Sequence, residues 1–180
     1  MDKISIIQKE NKILRQQAKE VPLDSIKSAE IRNIIKKLKQ AIAENEEAVA
    51  IAAPQIGKSL RIFAVSEYIF NPKMGSESLS PSSKKDFGFL IFINPKILKK
   101  SKKQKTLTEG CLSASNIYGA IKRAEKIKIE AYGENGKKFI KSGAGLFSQV
   151  IQHEIDHLDG ILFTDKAIMT KSIVNICTDR

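Results

Sequence analysis

Cysteine and histidine are scarce in this chain, two of each in 180 residues. So few cysteines exclude a disulfide-stapled scaffold, and a chain of this length buries enough surface to fold without one. A single bridge between Cys111 and Cys177 is not expected either, so a reducing cytoplasm is the expected setting. Long apolar runs are also missing. The longest, Ala48 to Pro54 and Phe87 to Ile93, stop far short of the ~20 residues a membrane-spanning helix needs. No export signal is recognisable, because Asp2, Lys3, Lys9 and Glu10 interrupt the isoleucines between Met1 and Asn11. No transit peptide is recognisable, so a bacterial cytoplasm is expected and an organelle is not excluded. There is no internal repeat.

What is present is an ordinary globular mixture, 42% hydrophobic and 28% charged, which points to one domain over residues 1–180. Lysine plus arginine outnumber the acidic residues by 31 to 20, giving a net charge of +11. The excess is clustered at Lys36, Lys37 and Lys39, at Lys84 and Lys85, and at Lys99, Lys100, Lys102, Lys103 and Lys105. Nucleic acid is the obvious partner for such clusters, yet no zinc finger, aromatic stacking motif or basic helix with a glycine turn accompanies them. DNA binding is therefore not expected. A solvated lysine-rich surface is the plain reading, with weak ribosome or RNA association as the functional one.

Apolar periodicity predicts a helix from Ala29 to Asn45, with Ile31, Ile34, Ile35, Leu38, Ala41 and Ile42 on one face and Ser28 as its cap. The run Ala48 to Ala53 is too short for a helix, is closed by Pro54 and Gly57, and leads into a strand over Leu60 to Val65. Between Asn71 and Asp86, Pro72, Gly75, Pro81 and several serines predict an exposed excursion. Phe89 to Ile93 reads as a buried strand. Ile127, Ile129 and Ala131 alternate with Lys128 and Glu130 as a half-exposed strand that turns at Gly133 to Gly136 and returns through Phe139 and Ile140. A last helix spans Leu146 to Leu158 and stops at Gly160. The fold class is α+β, mostly short strands in small mixed or antiparallel sheets, with an amphipathic helix before them and another after.

The last helix carries the chemistry. His153, Glu154 and His157 spell H-E-x-x-H, which on a helix aims imidazoles from successive turns at one point and sets a carboxylate beside them. Both histidines of the chain fall in this motif, which core packing alone does not account for. A catalytic ion usually takes three protein donors plus water. One protease class supplies a third His six residues after the second, but that slot is Phe163 here. The donor must be Cys, Asp or Glu, and Cys111, next to Gly110 in Glu109-Gly110-Cys111-Leu112-Ser113, is the outstanding candidate. Cys177, among Val174 and Ile176, is assigned no role.

The segments Ala48-Val49-Ala50-Ile51-Ala52-Ala53-Pro54-Gln55, Glu109-Gly110-Cys111-Leu112-Ser113 and Gln152-His153-Glu154-Ile155-Asp156-His157 resemble, in order and spacing, the three signatures of peptide deformylase. The likeness runs from the Ile7 to Val21 region through Phe163 and Asp165. It implies a fold in which a central helix bearing H-E-x-x-H lies among small sheets. It implies removal of the formyl group from the initiator methionine of new bacterial or organellar proteins, with N-formylmethionyl peptides as partners. The implied ligands are Cys111, His153 and His157, holding one divalent ion, Fe(II) in the cell and Zn(II), Ni(II) or Co(II) in preparations. Glu154 handles the proton of the attacking water. The Gln55 side-chain amide and the Leu112 backbone N–H donate to the oxyanion. Val49, Ala50 and Gly110 contact the peptide. A cysteine ligand beside ferrous iron makes oxygen sensitivity an expectation.

One departure stands out. The family's first signature carries glycines where this chain has Ala48 and Ala50, in a strand whose backbone pairs with the incoming peptide, so an altered or weakened peptide site with intact chemistry is expected. The same metal motif would also serve an H-E-x-x-H peptidase, and the lysines with the two alanines would suit a weakened metal- or ribosome-binding homologue.

Overall fold

In a computed structural model that describes residues 3–70 and 87–172, helix α1 spans Ala29–Glu44. The Asn71 to Asp86 excursion and Cys177 lie outside the described residues. The Ser28 hydroxyl accepts the Ile31 N–H at 3.3 Å, satisfying one donor of the first turn. The expected apolar stripe, Ile31 through Ile42, is buried. The helix ends one residue before Asn45, whose side-chain amide instead donates to the Ala41 carbonyl at 2.7 Å.

The apolar run that follows splits in two. Ala50–Ala52 forms β1, and Ala53–Ile56 turns as a short 3-10 helix, because Pro54 has no N–H for a ladder. Strand β2, Ile62–Ser66, is buried along its whole length and starts later than the sequence pattern suggests. Strand β3 runs over Phe89–Lys100, well past Ile93. Asn94-Pro95 reads as a break in sequence, yet the chain absorbs it as a register shift. Asn94, at φ 49°, holds the shift by clasping the Val21 backbone, N–H at 2.8 Å and C=O at 2.7 Å. Strands β6 (Lys126–Tyr132) and β7 (Lys138–Ala144) form the expected hairpin.

These strands make an antiparallel sheet ordered β1-β2-β3-β6-β7. The expectation of short strands is corrected here, since β4 (Gln104–Cys111) and β5 (Ala114–Ala124) are long as well and pair with β8 (Met169–Ser172) in a second sheet. Their length was hidden because β4 is largely exposed, with Leu107 the one large apolar residue among Gln104, Lys105, Thr106, Thr108 and Glu109, giving little apolar alternation to read.

The second long helix, α2, spans Leu146–Leu158 as expected. It lies against one face of the five-stranded sheet, where Phe147, Ile151 and Leu158 join Phe63, Phe92, Ile127 and Ile129. Helix α1 covers the other face over β1 and β2, against Ile51, Ile62 and Ala64. Phe63 and Phe92 stack at 4.7 Å between centroids, and burial of each such side chain contributes roughly 1.5–3 kcal/mol. The amino-terminal segment straps the end of α2, where the Ala18 N–H donates to the Leu158 carbonyl at 2.8 Å. Gly160, at φ +73°, lets the chain pass so close that a Cβ there would sit 2.8 Å from the Arg15 backbone. Arg15 then pairs with Asp165, beside the short helix α3 (Phe163–Lys166). Among the described residues no helix is long and apolar enough to cross a membrane.

Candidate active site

Helix α2 and the end of β4 bring together the three side chains that the sequence singled out. The Cys111 Sγ lies 3.2 Å from His157 Nε2, and the ligand atoms of Cys111, His153 and His157 all fall within 4.8 Å of one another. The donor set fits a divalent transition ion. Metal–sulfur and metal–nitrogen bonds of ~2.0–2.3 Å put tetrahedral donors ~3.3–3.8 Å apart, so the Cys111–His157 pair is close to coordinating distance and the set as a whole closes by a small movement; thiolate with two imidazoles suits zinc or ferrous iron. Each imidazole must also be oriented. His153 Nδ1 is 2.9 Å from Glu109 Oε2, which leaves its Nε2 for coordination.

Cys111 is placed by a two-residue turn, Leu112–Ser113, that joins β4 to β5. The Ser113 N–H points back at its sulfur at 3.4 Å. Gly110 is required by its neighbour, because a Cβ there would meet the Tyr118 ring at 2.8 Å. The Gln55 side chain is 2% exposed. Its Oε1 accepts the Ala52 N–H at 2.8 Å, and its Nε2 is thereby aimed at Ser113 Oγ, 3.2 Å away, and Cys111 Sγ, 3.4 Å away.

A cavity of about 490 Å³ opens in front of these groups, lined by Val49, Ala50, Gln55, Leu112, Tyr118 and Glu154 among others. Strand β1 forms its wall and is an edge strand. The Val49 carbonyl is taken by the Ser66 N–H at 2.8 Å, so by strand alternation residue 51 also faces β2, and Ala50 turns its N–H and C=O away. Ala50 is partly exposed at the cavity, whereas Ala48 is 4% exposed and packs into the α1 cluster. Both alanines line the cavity, Ala50 being the more exposed to it.

Glu154 is 3% exposed, and its Oε2 has no hydrogen-bond partner among the described residues. Burial pushes its carboxyl up to about 7; His153 opposes the shift and Glu109 adds to it. A carboxyl poised there exchanges protons near neutrality. Burial, and after it the charge of His153, lowers His157 well below the usual imidazole range.

The polypeptide deformylase family profile matches residues 3–172. Peptide deformylase 2 of Clostridium acetobutylicum is 39% identical over 158 residues, 87% of this chain and 89% of that one. The chain belongs to the peptide deformylase family. Two solved members agree. The crystal structure of a peptide deformylase from Legionella pneumophila superposes with a TM-score of 0.76 at 30% identity, covering 92% of this chain and 86% of that one. The Met-Ala-Ser-bound class I type b enzyme of Acinetobacter baumannii gives 0.76 at 27%, covering 92% and 98%. Membership makes the chain an enzyme of protein biosynthesis, a hydrolase that removes the N-formyl group from new polypeptides.

The H-E-x-x-H motif and the need for a third donor drew attention to Cys111, His153 and His157, but the sequence reading missed what stands behind them. Arg123, 4% exposed, forks onto Glu109 through two bonds of 2.8 Å and reaches Asp156 at 2.6 Å. Asp156 also receives Lys166 at 2.6 Å. Burial favours a neutral Glu109, but the Arg123 and His153 hydrogen bonds outweigh it and hold the carboxyl at about 2. Two signals were available: Glu109 stands one strand period before Cys111 and so shares its face, and Asp156 follows His153 by one helical turn. Arg123 gave none, being one cation among many.

Proposed function

We propose that residues 1–180 act as one catalytic unit in a bacterial cytoplasm, hydrolysing the formamide of N-formylmethionyl peptides with one divalent ion held by Cys111, His153 and His157. The observation that carries this reading is the meeting of a strand-end thiol and two helix imidazoles beside a buried carboxylate with a spare oxygen. Fe(II) is the ion in the cell, and Zn(II), Ni(II) or Co(II) replace it in preparations. When bound, the ion supplies Lewis-acid polarisation and makes water acidic enough to attack near neutral pH.

Glu154 accepts the proton of the attacking water as its oxygen bonds to the formyl carbon. The carbonyl oxygen gains charge, and the Gln55 Nε2 and Leu112 N–H donate to it, each such donor being worth ~3 kcal/mol. Glu154 then passes its proton to the departing nitrogen as the C–N bond breaks, leaving formate and a free amino terminus. Ala50, Val49 and Gly110 seat the peptide along the open edge of β1, in the manner of an added strand. Ribosome association through the lysine-rich surface belongs to the same proposal, because the substrate emerges there.

The test is anaerobic purification, metal analysis and incubation with formyl-Met-Ala-Ser. One equivalent of metal and stoichiometric formate support the reading. Internal cleavage fragments without formate would favour a peptidase, and bound metal with no turnover would favour a binding homologue.

A further inference from the structure

Ile6-Ile7-Gln8 belongs to no helix or strand, so its polar groups are outside any ladder and take their partners elsewhere. They take them at the site. The Ile7 N–H donates to the Gln55 carbonyl at 2.8 Å. The Gln8 side-chain amide donates to the Leu112 and Ile6 carbonyls, both at 3.2 Å, and its Oε1 accepts the Ser115 hydroxyl at 3.4 Å. Ile6 and Leu112 also pack against the same α1 cluster. One short segment therefore grips the backbone of Gln55 and of Leu112, the two residues assigned to the oxyanion.

These two donors need a common tether because they come from different sheets. Gln55 sits in the 3-10 helix that follows β1, and Leu112 in the two-residue turn between β4 and β5. Among the described residues no ladder joins the five-stranded sheet to the three-stranded one. Gln55 Nε2 reaches Ser113 Oγ, which ties Gln55 to the second residue of the turn and leaves the peptide groups of the first to other partners. Among the described residues, Gln8 is the one side chain from outside β4 and β5 that bonds the backbone of this turn. The N–H and C=O of Leu112 belong to two planar peptide units that meet at its Cα, so with Cys111 anchored on one side, a fixed carbonyl on the other restrains the N–H. A donor held in advance needs no reorientation as charge develops. Gln8 does not line the cavity, so it works through Leu112 and not on the peptide.

We infer that Gln8 is a positioning residue, holding the turn by the Leu112 carbonyl so that the Leu112 N–H and the Gln55 amide serve the same oxyanion. The inference rests on the deformylase reading and on its assignment of those two donors.

The test compares wild type with Gln8→Ala and Gln8→Glu, each metal-loaded under anaerobic conditions, by formate release from formyl-Met-Ala-Ser and by amide hydrogen exchange across residues 108–116. Gln8→Ala is expected to lower kcat about five- to thirtyfold, a fraction of the roughly 10²–10³-fold that outright loss of an oxyanion donor costs, with KM within about twofold because the seat of the peptide along β1 is untouched. Gln8→Glu keeps the size and the acceptor but, ionised near neutral pH, has no proton for the Leu112 carbonyl, so it is expected to fall at least as far. Both variants are expected to exchange faster at the turn and to melt with wild type, since Gln8 is exposed. The pH dependence set by Glu154 is expected to stay in place. Wild-type kcat in Gln8→Glu would overturn the inference, because donation to Leu112 would then be idle. A rise in KM at unchanged kcat, unaltered exchange at the turn or a displaced pH profile would overturn it as well. So would a fall in melting temperature in step with the loss of activity, which would reduce Gln8 to a stabilising contact. Wild type that binds metal and releases no formate would end the functional reading instead, and the exchange measurement would still decide whether Gln8 holds the turn.

Discussion

Glu109 and Glu154 both sit beside His153 and are almost equally buried, at 5% and 3% exposure, yet one carboxyl is held at about 2 and the other is pushed to about 7. The difference lies in their surroundings. Behind the imidazole, Glu109 is gripped by Arg123, which Asp156 and Lys166 steady in turn. In front of it, Glu154 faces the cavity with an oxygen that no described residue occupies. A saturated network fixes geometry and titrates far from neutrality, while an under-satisfied group remains free to exchange a proton. Burial by itself therefore says little about the role of a carboxylate; the count of donors around it says more.

The contrast can be broken most sharply in front. Glu154→Gln keeps the shape and removes the proton acceptor, so formate release is expected to fall about 10²–10⁴-fold with the melting temperature preserved. Activity within tenfold of wild type would remove Glu154 from its role. Behind the ring, Arg123→Leu strands Glu109 and Asp156 without their shared cation, and a loss of about 3–5 kcal/mol is expected in urea unfolding. An unchanged midpoint would mean that the network is ornamental. Ala50→Gly is expected to lower KM for formyl-Met-Ala-Ser by less than about tenfold, under ~1.4 kcal/mol, with kcat steady. Ala48→Gly, in the α1 cluster, is expected to affect stability rather than KM, and identical kinetics in wild type and Ala50→Gly would refute the cavity assignment. Smallest of all, Lys138→Ala removes an exposed partner of Glu130, and no measurable change in the unfolding midpoint is expected.

The same contrast explains what could be read without coordinates. Helices α1 and α2 were legible because each repeats its apolar residues at the helical period, and Ser28 and Gly160 mark ends by local chemistry. Cys111, His153 and His157 were legible because cysteine and histidine are rare in this chain, two of each, so their presence is informative. Strands β4 and β5 were not, since β4 holds one leucine among exposed polar residues and β5 breaks its apolar residues with Ser115, Asn116 and Gly119. Nor was Arg123, whose importance comes from burial between Glu109 and Asp156, a tertiary property that residue type and spacing do not carry. The reach of β3 past Asn94 was hidden for a related reason: the side chain that repairs the break binds Val21, 73 positions away.

The strap across the end of α2 sets a schedule for the birth of the molecule. Ala18 finds its acceptor on Leu158 and Arg15 its carboxylate on Asp165, so the earlier residues wait for partners synthesised about 140–150 positions later. At ~5–20 residues per second, translation separates the two by about 7–30 seconds. An enzyme that trims the beginnings of other newborn chains can close this strap only after its own H-E-x-x-H helix has been made.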